Sequence, residues 1–177
     1  MTRRSAPGHW QSRLARLRVP LGFLAAAAAF LLATPTPGSL LAGLLVALPG
    51  EVLRVWAAGH IDKGREITTS GPYRFTRHPL YLGSTILGIG FAIAAHSWVV
   101  AAIVAGYLGL TLAAAIRTEE RTLDERFDGA YTRYREGALS GETRPFSFAR
   151  VVANREHRAV IGLVASAILL VLRWWLS

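Results

Sequence analysis

The sequence predicts an all-α fold, a polytopic bundle of about five transmembrane helices. Three observations predict it. Apolar residues make up 52% of the 177-residue chain and only 18% are charged, which does not suit a small soluble domain. The charged residues lie between long apolar blocks, as they do in small membrane proteins. The formal net charge of +9 is concentrated in three polar segments rather than spread along the chain.

Five apolar blocks are the predicted spans: 19–34, 40–58, 80–95, 98–116 and 159–176. A span needs about 17–25 residues, so the first and third blocks are expected to recruit flanking residues or to thin the bilayer locally. Pro35-Thr36-Pro37-Gly38 predicts a tight turn between the first two spans. Only His96-Ser97 separates the third and fourth, which predicts an antiparallel hairpin. The length predicts a single domain, 1–177.

The basic residues predict the orientation. Segments 1–18, 59–79 and 117–158 hold 18 of the 20 Lys and Arg residues, and a five-span chain places all three on one side. By the positive-inside rule that side, with the amino terminus, is cytoplasmic, and we expect an integral protein of a bacterial inner or plasma membrane. The arginines form no soluble stripe with aromatics, so nucleic acid is not the expected partner. A cleaved secretory signal is the alternative for the amino terminus, but retaining the first span keeps every basic loop inside.

Within the spans, small residues predict close helix packing: Gly83, Gly88 and Gly90 in the third, Gly106 and Gly109 in the fourth. Glu51 and Arg54 in the second span are three residues apart and share a helical face. We interpret them as a self-neutralising pair, and the alternative is that one lies in a polar cavity. The chain has no cysteine, which excludes disulfides, a thiolate nucleophile and a Cys metal site.

The most informative segment is Gly71-Pro72-Tyr73-Arg74-Phe75-Thr76-Arg77-His78-Pro79-Leu80-Tyr81-Leu82-Gly83. It holds ionisable and aromatic side chains directly against the start of a span, where polar groups are functional candidates because they are unfavourable. A basic anchor with an aromatic belt needs only Arg and Tyr, and leaves the His-Pro step unexplained. Pro79 fits the first helical turn, and a helix start offers free amides to an anion.

A second polar segment begins at Arg117, and Leu123, Phe127, Ala130, Tyr131 and Tyr134 recur in it at the spacing of an amphipathic helix. The hairpin brings Arg77-His78 next to Glu119-Glu120. Such a site suits a zwitterionic amino-acid group, whose carboxylate pairs with Arg or His and whose ammonium pairs with Glu. Tyr73 and Tyr81 offer aromatic surface to a base or a sulfonium. The alternative for the glutamates is a solvated helix start.

Together these residues resemble the membrane methyltransferases, which include the isoprenylcysteine carboxyl methyltransferases and the phospholipid methyltransferases. The family pattern is an Arg-His-Pro-any-Tyr step, a helical hairpin and two glutamates, and it is matched here by Arg77 to Tyr81 and by Glu119-Glu120. The resemblance covers about residues 53–134. It implies a cytoplasmic-side cofactor pocket and methyl transfer from S-adenosylmethionine to a lipophilic or membrane-embedded carboxylate, amine or hydroxyl.

Carried over by position, the resemblance implies a set of cofactor-binding residues: Tyr73, Arg77, His78, Pro79, Leu80, Tyr81, Glu119 and Glu120. Glu119 is the expected anchor of the cofactor's amino end. His78 and Glu120 are the catalytic candidates if the acceptor must lose a proton. The segment Arg65, Glu66, Ile67 and Thr68 adds further candidate contacts. Eukaryotic members carry a substrate-binding arginine where this chain has Ala115; Arg117 is the nearest candidate, so the site departs from a prenylated-cysteine site.

Two other functions remain open. Membrane sterol and isoprenoid reductases look similar around an Arg-His-any-any-Tyr step and use a reduced nicotinamide cofactor, although paired carboxylates repel its phosphate. A non-catalytic assembly protein is possible on the same scaffold. The residues leave open the methyl acceptor, the oligomeric state and the role of 137–158, where aromatics between Arg144 and Arg150 predict a surface-lying segment near the substrate route.

Overall fold

The computed structural model describes residues 22–62, 68–126 and 144–176, which form helices and no strand. The helices are α1 (Gly22–Leu32), α2 (Pro37–His60), α3 (Pro79–Ala95), α4 (Trp98–Arg126), α5 (Phe148–Ala153) and α6 (His157–Trp175), with a 3₁₀ turn at Gly71–Arg74. The all-α prediction is confirmed for these residues. Expectations on the amino-terminal tail, on Arg65, Glu66 and Ile67, and on Phe127 to Tyr134 lie outside the described residues.

Three helices are long and apolar enough to cross a membrane: Pro37–His60, Trp98–Glu120 and His157–Trp175. Helices α1 and α3 are apolar but shorter, as expected from the short first and third blocks. In the second and third of the long helices only 6% of the apolar window is buried inside the protein. Side chains as large as Leu110, Trp98 and Ile161 therefore face outwards, where a bilayer would cover them.

The helix boundaries follow local signals in the sequence. Thr36 caps α2 in a capping box with Ser39, and Pro37 occupies the first turn, where its missing N–H breaks no hydrogen bond. Helix α3 begins at Pro79 in the same way. His96 ends α3 in a left-handed conformation with φ 50°, and α4 starts two residues later. The predicted hairpin between the third and fourth spans is confirmed.

Helices α2 and α3 pack closely along small residues. A Cβ added at Gly90 would lie 2.7 Å from both the Ala47 nitrogen and the Gly43 carbonyl oxygen. A Cβ added at Gly50 would lie 2.9 Å from the Gly83 carbonyl oxygen. The predicted role of the α3 glycines in close packing is confirmed. For Gly106 and Gly109 the prediction is wrong within the described part of the chain. A Cβ added at either glycine would have no atom of another described residue within 4 Å.

Hydrogen bonds join the α1–α2 connection and the start of α2 to the end of α3, at the end of the bundle remote from Pro79. The Thr34 amide donates to the Ala95 carbonyl at 2.9 Å, and the Thr34 hydroxyl donates to the His96 carbonyl at 2.8 Å. The Ser39 hydroxyl donates to the Ala94 carbonyl at 3.1 Å. The buried apolar cluster lies at the same end: Ala29, Ala33, Ala94, Ala95, Val100 and Leu170. These contacts fix the end of the bundle that contains the α3–α4 loop. Because that loop is short, the opposite ends of α3 and α4 also lie close together.

The segment before α6 packs against the carboxyl end of α2. The Ser147 amide and the Arg150 Nε both donate to the Gly59 carbonyl, at 3.0 and 2.8 Å. The Phe146 ring lies 5.9 Å from the His60 ring, and Arg144 pairs with Asp62 at 3.2 Å. Residues 144–154 therefore contact the end of α2 and the residues that directly follow it, and a role of this segment in substrate entry stays a prediction.

Candidate functional site

A cavity of about 340 Å³ opens where the 3₁₀ turn, α2, α3, α4 and the residues before α6 meet. We call it the polar cavity; its walls are Arg54, Tyr73, Arg77, His78, Pro79, Leu80, Tyr81, Ser84, Leu112, Glu119, Asn154, Arg155, Glu156, Arg158 and Ala159. Seven of the eight residues expected to bind the cofactor lie on this wall, all but Glu120. The volume lies within the range of about 300–1,000 Å³ typical of small-molecule sites.

His78 is fixed at the start of α3. Its backbone caps the helix, since the Leu82 amide donates to the His78 carbonyl at 3.0 Å. Its ring Nε2 lies 3.1 Å from Oε1 of Glu120, and the Tyr81 ring lies 5.6 Å from the imidazole, tilted by 34°. The ring is therefore oriented by a carboxylate on one side and an aromatic side chain on another. The predicted proximity of this histidine and the glutamate pair is confirmed; their roles stay predictions.

The Gly-Pro-Tyr turn presents Tyr73 to the cavity. Gly71 has φ +59°, a conformation that favours glycine, and a Cβ there would lie 2.6 Å from the His60 ring. The turn can therefore press against His60, and it brings Tyr73, of which only 7% is exposed, to the cavity wall. This explains the glycine in the segment that the sequence singled out.

The two glutamates point to different places because neighbouring residues on a helix are about 100° apart. Glu119 is half-buried on the wall of the polar cavity, whereas Glu120 reaches the His78 ring. Arg77 is exposed at the cavity rim. Arg117 is exposed and lies on neither this cavity nor the apolar one described below, so its assignment to the substrate stays a prediction. Thr68 is buried but is not on the cavity wall.

Arg54 was expected to form a self-contained pair with Glu51, and this interpretation needs correction. The two side chains are near each other, at 3.9 Å, but the closer partner is Glu156, with 2.6 Å between Nη2 and Oε1. Arg54 also hydrogen-bonds the Ser84 hydroxyl and lines the polar cavity. The alternative, a charged residue of the second span in a polar cavity, is the one observed. Residues far apart in sequence supply its partners, which periodicity within one helix does not reveal.

Four wall residues that the sequence reasoning missed come from the turn before α6 and from its first turn: Asn154, Arg155, Glu156 and Arg158. Asn154 Nδ2 donates to the Ala58 and Ile61 carbonyls at 3.0 and 3.1 Å and so caps α2. Arg155 has φ 59°, which is unfavourable for a side chain of this size and is a feature typical of functional sites. The available signal was a polar run directly before an apolar block, the same signal that marked residues 71–83.

A second cavity, of about 510 Å³, lies between α1, α2, α3, α4 and α6, and we call it the apolar cavity. Small and aliphatic side chains line it, among them Ala26, Leu44, Phe91 and Leu163. Ser84 and Ala159 line both this cavity and the polar one. The two cavities therefore adjoin, and an amphiphilic molecule can place an apolar chain in one and a polar group in the other.

The donor set of the polar cavity fits a zwitterionic cofactor with a cationic centre. Glu119 offers a carboxylate to an ammonium group, Arg77 and His78 offer donors to a carboxylate, and Tyr73 and Tyr81 offer ring faces. Among residues 22–62, 68–126 and 144–176, no group of three or more His, Asp or Glu is arranged to hold a metal ion.

Known proteins match the central part of the chain. A family model described as phospholipid methyltransferase matches residues 40–130, just over half of the sequence. The nickel-cobalt-cadmium resistance protein NccN of Alcaligenes xylosoxydans xylosoxydans is 36% identical over 87 residues, 48% of this chain and 41% of that protein. The cobalt-zinc-cadmium resistance protein CzcN of Cupriavidus metallidurans is 36% identical over 94 residues, 52% of this chain and 44% of that protein. The chain thus spans less than half the length of these relatives, and no solved structure matches it.

Proposed function

Because this chain belongs to the phospholipid methyltransferase family, we propose that it transfers a methyl group from S-adenosylmethionine to a lipophilic acceptor at the edge of a membrane. The observation that carries the proposal is the meeting of His78 and Glu119 on one cavity wall, with Glu120 bonded to His78 at 3.1 Å. The start of α3 supplies His78, and the end of α4 supplies both glutamates. The short loop between the two helices brings these ends side by side.

In this proposal the polar cavity holds the cofactor. Glu119 pairs with its ammonium group, Arg77 and the amides at the start of α3 face its carboxylate, and Tyr73 and Tyr81 lie against its apolar and cationic parts. Pro79 and Leu80 complete the wall. His78 is kept in place by Glu120, which orients the ring without occupying the cavity itself.

The acceptor reaches the site from the apolar cavity, past Ser84 and Ala159. S-adenosylmethionine supplies a methyl group that its sulfonium already activates, and the electron pair of the broken carbon–sulfur bond stays on sulfur. The chain's own contribution is then alignment, which can supply about 7–11 kcal/mol of the barrier. A carboxylate acceptor needs no base. For an amine or a hydroxyl, His78 takes the proton, with Glu120 stabilising the resulting imidazolium.

We place this site on the cytoplasmic side of a five-span protein in a bacterial inner or plasma membrane. The short helices α1 and α3 complete the five spans, with flanking residues filling the deficit in length. The charged site residues come from the basic segments 59–79 and 117–158 and from the end of α2 that adjoins them. The positive-inside rule assigns that side to the cytoplasm. We assign residues 1–177 to a single domain.

The test is the binding of S-adenosylhomocysteine to the purified protein in detergent, measured by isothermal titration calorimetry. The wild type is expected to bind, and Glu119→Ala to weaken binding about 10–100-fold, since a charge-assisted hydrogen bond contributes about 1.5–3 kcal/mol. Thr118→Ala is the matched control because the Thr118 hydroxyl donates at 2.8 Å to Ala114 of its own helix and is exposed. This variant is expected to bind like the wild type.

Equal affinity in wild type and Glu119→Ala would remove the pocket assignment, and absence of binding in the wild type would remove the function. Titration with a reduced nicotinamide dinucleotide runs in parallel. Binding of that cofactor in place of S-adenosylhomocysteine would favour the reductase alternative.

A further inference from the structure

Arg54 is a charged residue in a membrane-spanning helix whose contacts leave it facing a cavity. Its Nη1 bonds the Ser84 hydroxyl and lies 3.5 Å from the Leu80 carbonyl, while its Nη2 pairs with Glu156. Its Nε is buried, lies 3.9 Å from Oε2 of Glu51 and makes no hydrogen bond to any described residue. A half-buried arginine whose buried Nε lacks a hydrogen bond, on a cavity wall, is unfavourable unless a ligand completes its contacts.

The packing of α3 positions this side chain. A Cβ added at Gly83 would lie 2.5 Å from Cγ of Arg54, so a glycine at this position lets the arginine stem lie along the α3 backbone. The guanidinium is thereby brought to Ser84, one of the two residues that line both cavities. Arg54 therefore stands where the polar cavity meets the apolar cavity.

The charges around the polar cavity leave a need for an anion. Its wall carries four arginines, Arg54, Arg77, Arg155 and Arg158, and two carboxylates, Glu119 and Glu156. Two further carboxylates are not on the wall but contact it, Glu51 beside Arg54 and Glu120 beside His78. The cofactor's amino-acid part is zwitterionic and its sulfonium is positive, so the proposed cofactor gives the loaded cavity a net positive charge. A second, negatively charged ligand would balance it.

From these contacts we infer that Arg54 binds the anionic head group of the methyl acceptor, which is therefore an anionic amphiphile with its chain in the apolar cavity. The inference rests on the proposed function. Glu156 holds the guanidinium in the absence of the acceptor, and the head group, a carboxylate or a phosphate, takes its place through the bidentate geometry that arginine favours. Arg54 thus determines specificity, a role in which the sequence had favoured Arg117.

The experiment compares lipids that share a chain and differ in charge, each tested on the full-length protein in detergent. One pair is oleate against oleamide; the other is oleoyl lysophosphatidate against monooleoylglycerol. The wild type is expected to bind the anion of at least one pair about tenfold more tightly than its neutral partner, and the pair showing the larger ratio identifies the head-group chemistry. Arg54→Gln is expected to bring that ratio to about one.

Two further variants complete the design. Arg173→Gln removes an arginine of α6 that lines neither cavity and is the matched control, expected to keep the wild-type ratio. Glu156→Gln removes the carboxylate that occupies Arg54 and is expected to raise the affinity for the anion about threefold or more. If Arg54→Gln does not fold, Glu156→Gln decides the question, since unchanged or weaker anion binding in that variant overturns the inference.

A wild type with no preference for the anion, or an Arg54→Gln variant that keeps the preference, also overturns it. In the latter case Arg54 and Glu156 serve only to join α2 to the start of α6. Each substitution would then lower thermal stability and leave lipid preference unchanged. The lipid comparison needs no cofactor, so its failure is distinguishable from failure to bind S-adenosylhomocysteine, which would remove the proposed function itself.

Discussion

Nε2 of His78 lies 3.1 Å from Oε1 of Glu120, although 42 residues separate them in sequence. Both groups sit at helix ends, His78 capping α3 and Glu120 in the last turns of α4. A two-residue hairpin at the opposite end of these helices sets the distance. The pair therefore ties the two halves of the family motif directly to each other, and the cavity with Glu119 lies beside it.

We expect His78 and Glu120 to act as a unit in cofactor binding. His78→Ala and Glu120→Ala should each weaken S-adenosylhomocysteine binding. The double variant should bind no more weakly than the single variant with the lower affinity, because either change already breaks the contact. The measurement is the dissociation constant in the four proteins. Thr122→Ala, which removes a hydroxyl bonded to Thr118 of its own helix, is the control and should combine additively with Glu120→Ala. Additive losses for His78 and Glu120 would contradict a coupled pair.

The packing of α2 against α3 predicts a strong effect at Gly90 and none of that kind at Gly106. Gly90→Ala places a Cβ 2.7 Å from backbone atoms of Ala47 and Gly43, which cannot rotate away, and should lower the free energy of unfolding by about 1–3 kcal/mol. Gly106→Ala meets no described atom within 4 Å and should be neutral or slightly stabilising. Unfolding by sodium dodecyl sulfate, followed by circular dichroism, compares them. Equal midpoints for the two variants would show that the helices are not in close contact there.

We expect the stability of the protein to depend on the charge of the side chain at position 154. Asn154→Ala removes two hydrogen bonds to the Ala58 and Ile61 carbonyls and should lower the free energy of unfolding by about 1–3 kcal/mol. Asn154→Asp should be more destabilising, since it sets an anion against the carbonyl end of α2. Thermal unfolding in detergent gives the order. An aspartate variant as stable as the wild type would mean that the amide does not cap this helix.

Gly59 and Phe146 should be energetically coupled. A Cβ at Gly59 would overlap the Phe146 ring, so Gly59→Ala is expected to destabilise the protein when Phe146 is present. In a Phe146→Ala background the same change should be nearly neutral, giving a coupling of about 0.5–3 kcal/mol. A double-mutant cycle of unfolding free energies measures it. A coupling near zero would place Phe146 away from the end of α2.

Much of the site was predictable because its signals are local. The Gly-Pro-Tyr turn, the His-Pro helix start and the paired glutamates each stand out against apolar neighbours. The short hairpin then brings His78, at the start of α3, next to Glu120, near the end of α4. The matching family model confirms the resemblance that these residues indicated. The same reasoning missed the turn before α6, although Asn154, Arg155 and Glu156 form a comparable polar run before a span.

By itself the sequence determined the helical, apolar character of the chain, the helix start at Pro79 and the hairpin, because prolines and hydropathy act over a few residues. The second helix begins at Pro37, within the four residues that the sequence predicts to be a turn. Tertiary structure alone decided that Arg54 turns from Glu51 towards Glu156 and Ser84, and that a polar and an apolar cavity share a wall. The reason is that a charged side chain inside a bundle is satisfied by whichever partners the packed helices bring within reach. Those partners lie far along the chain, where no local pattern records them.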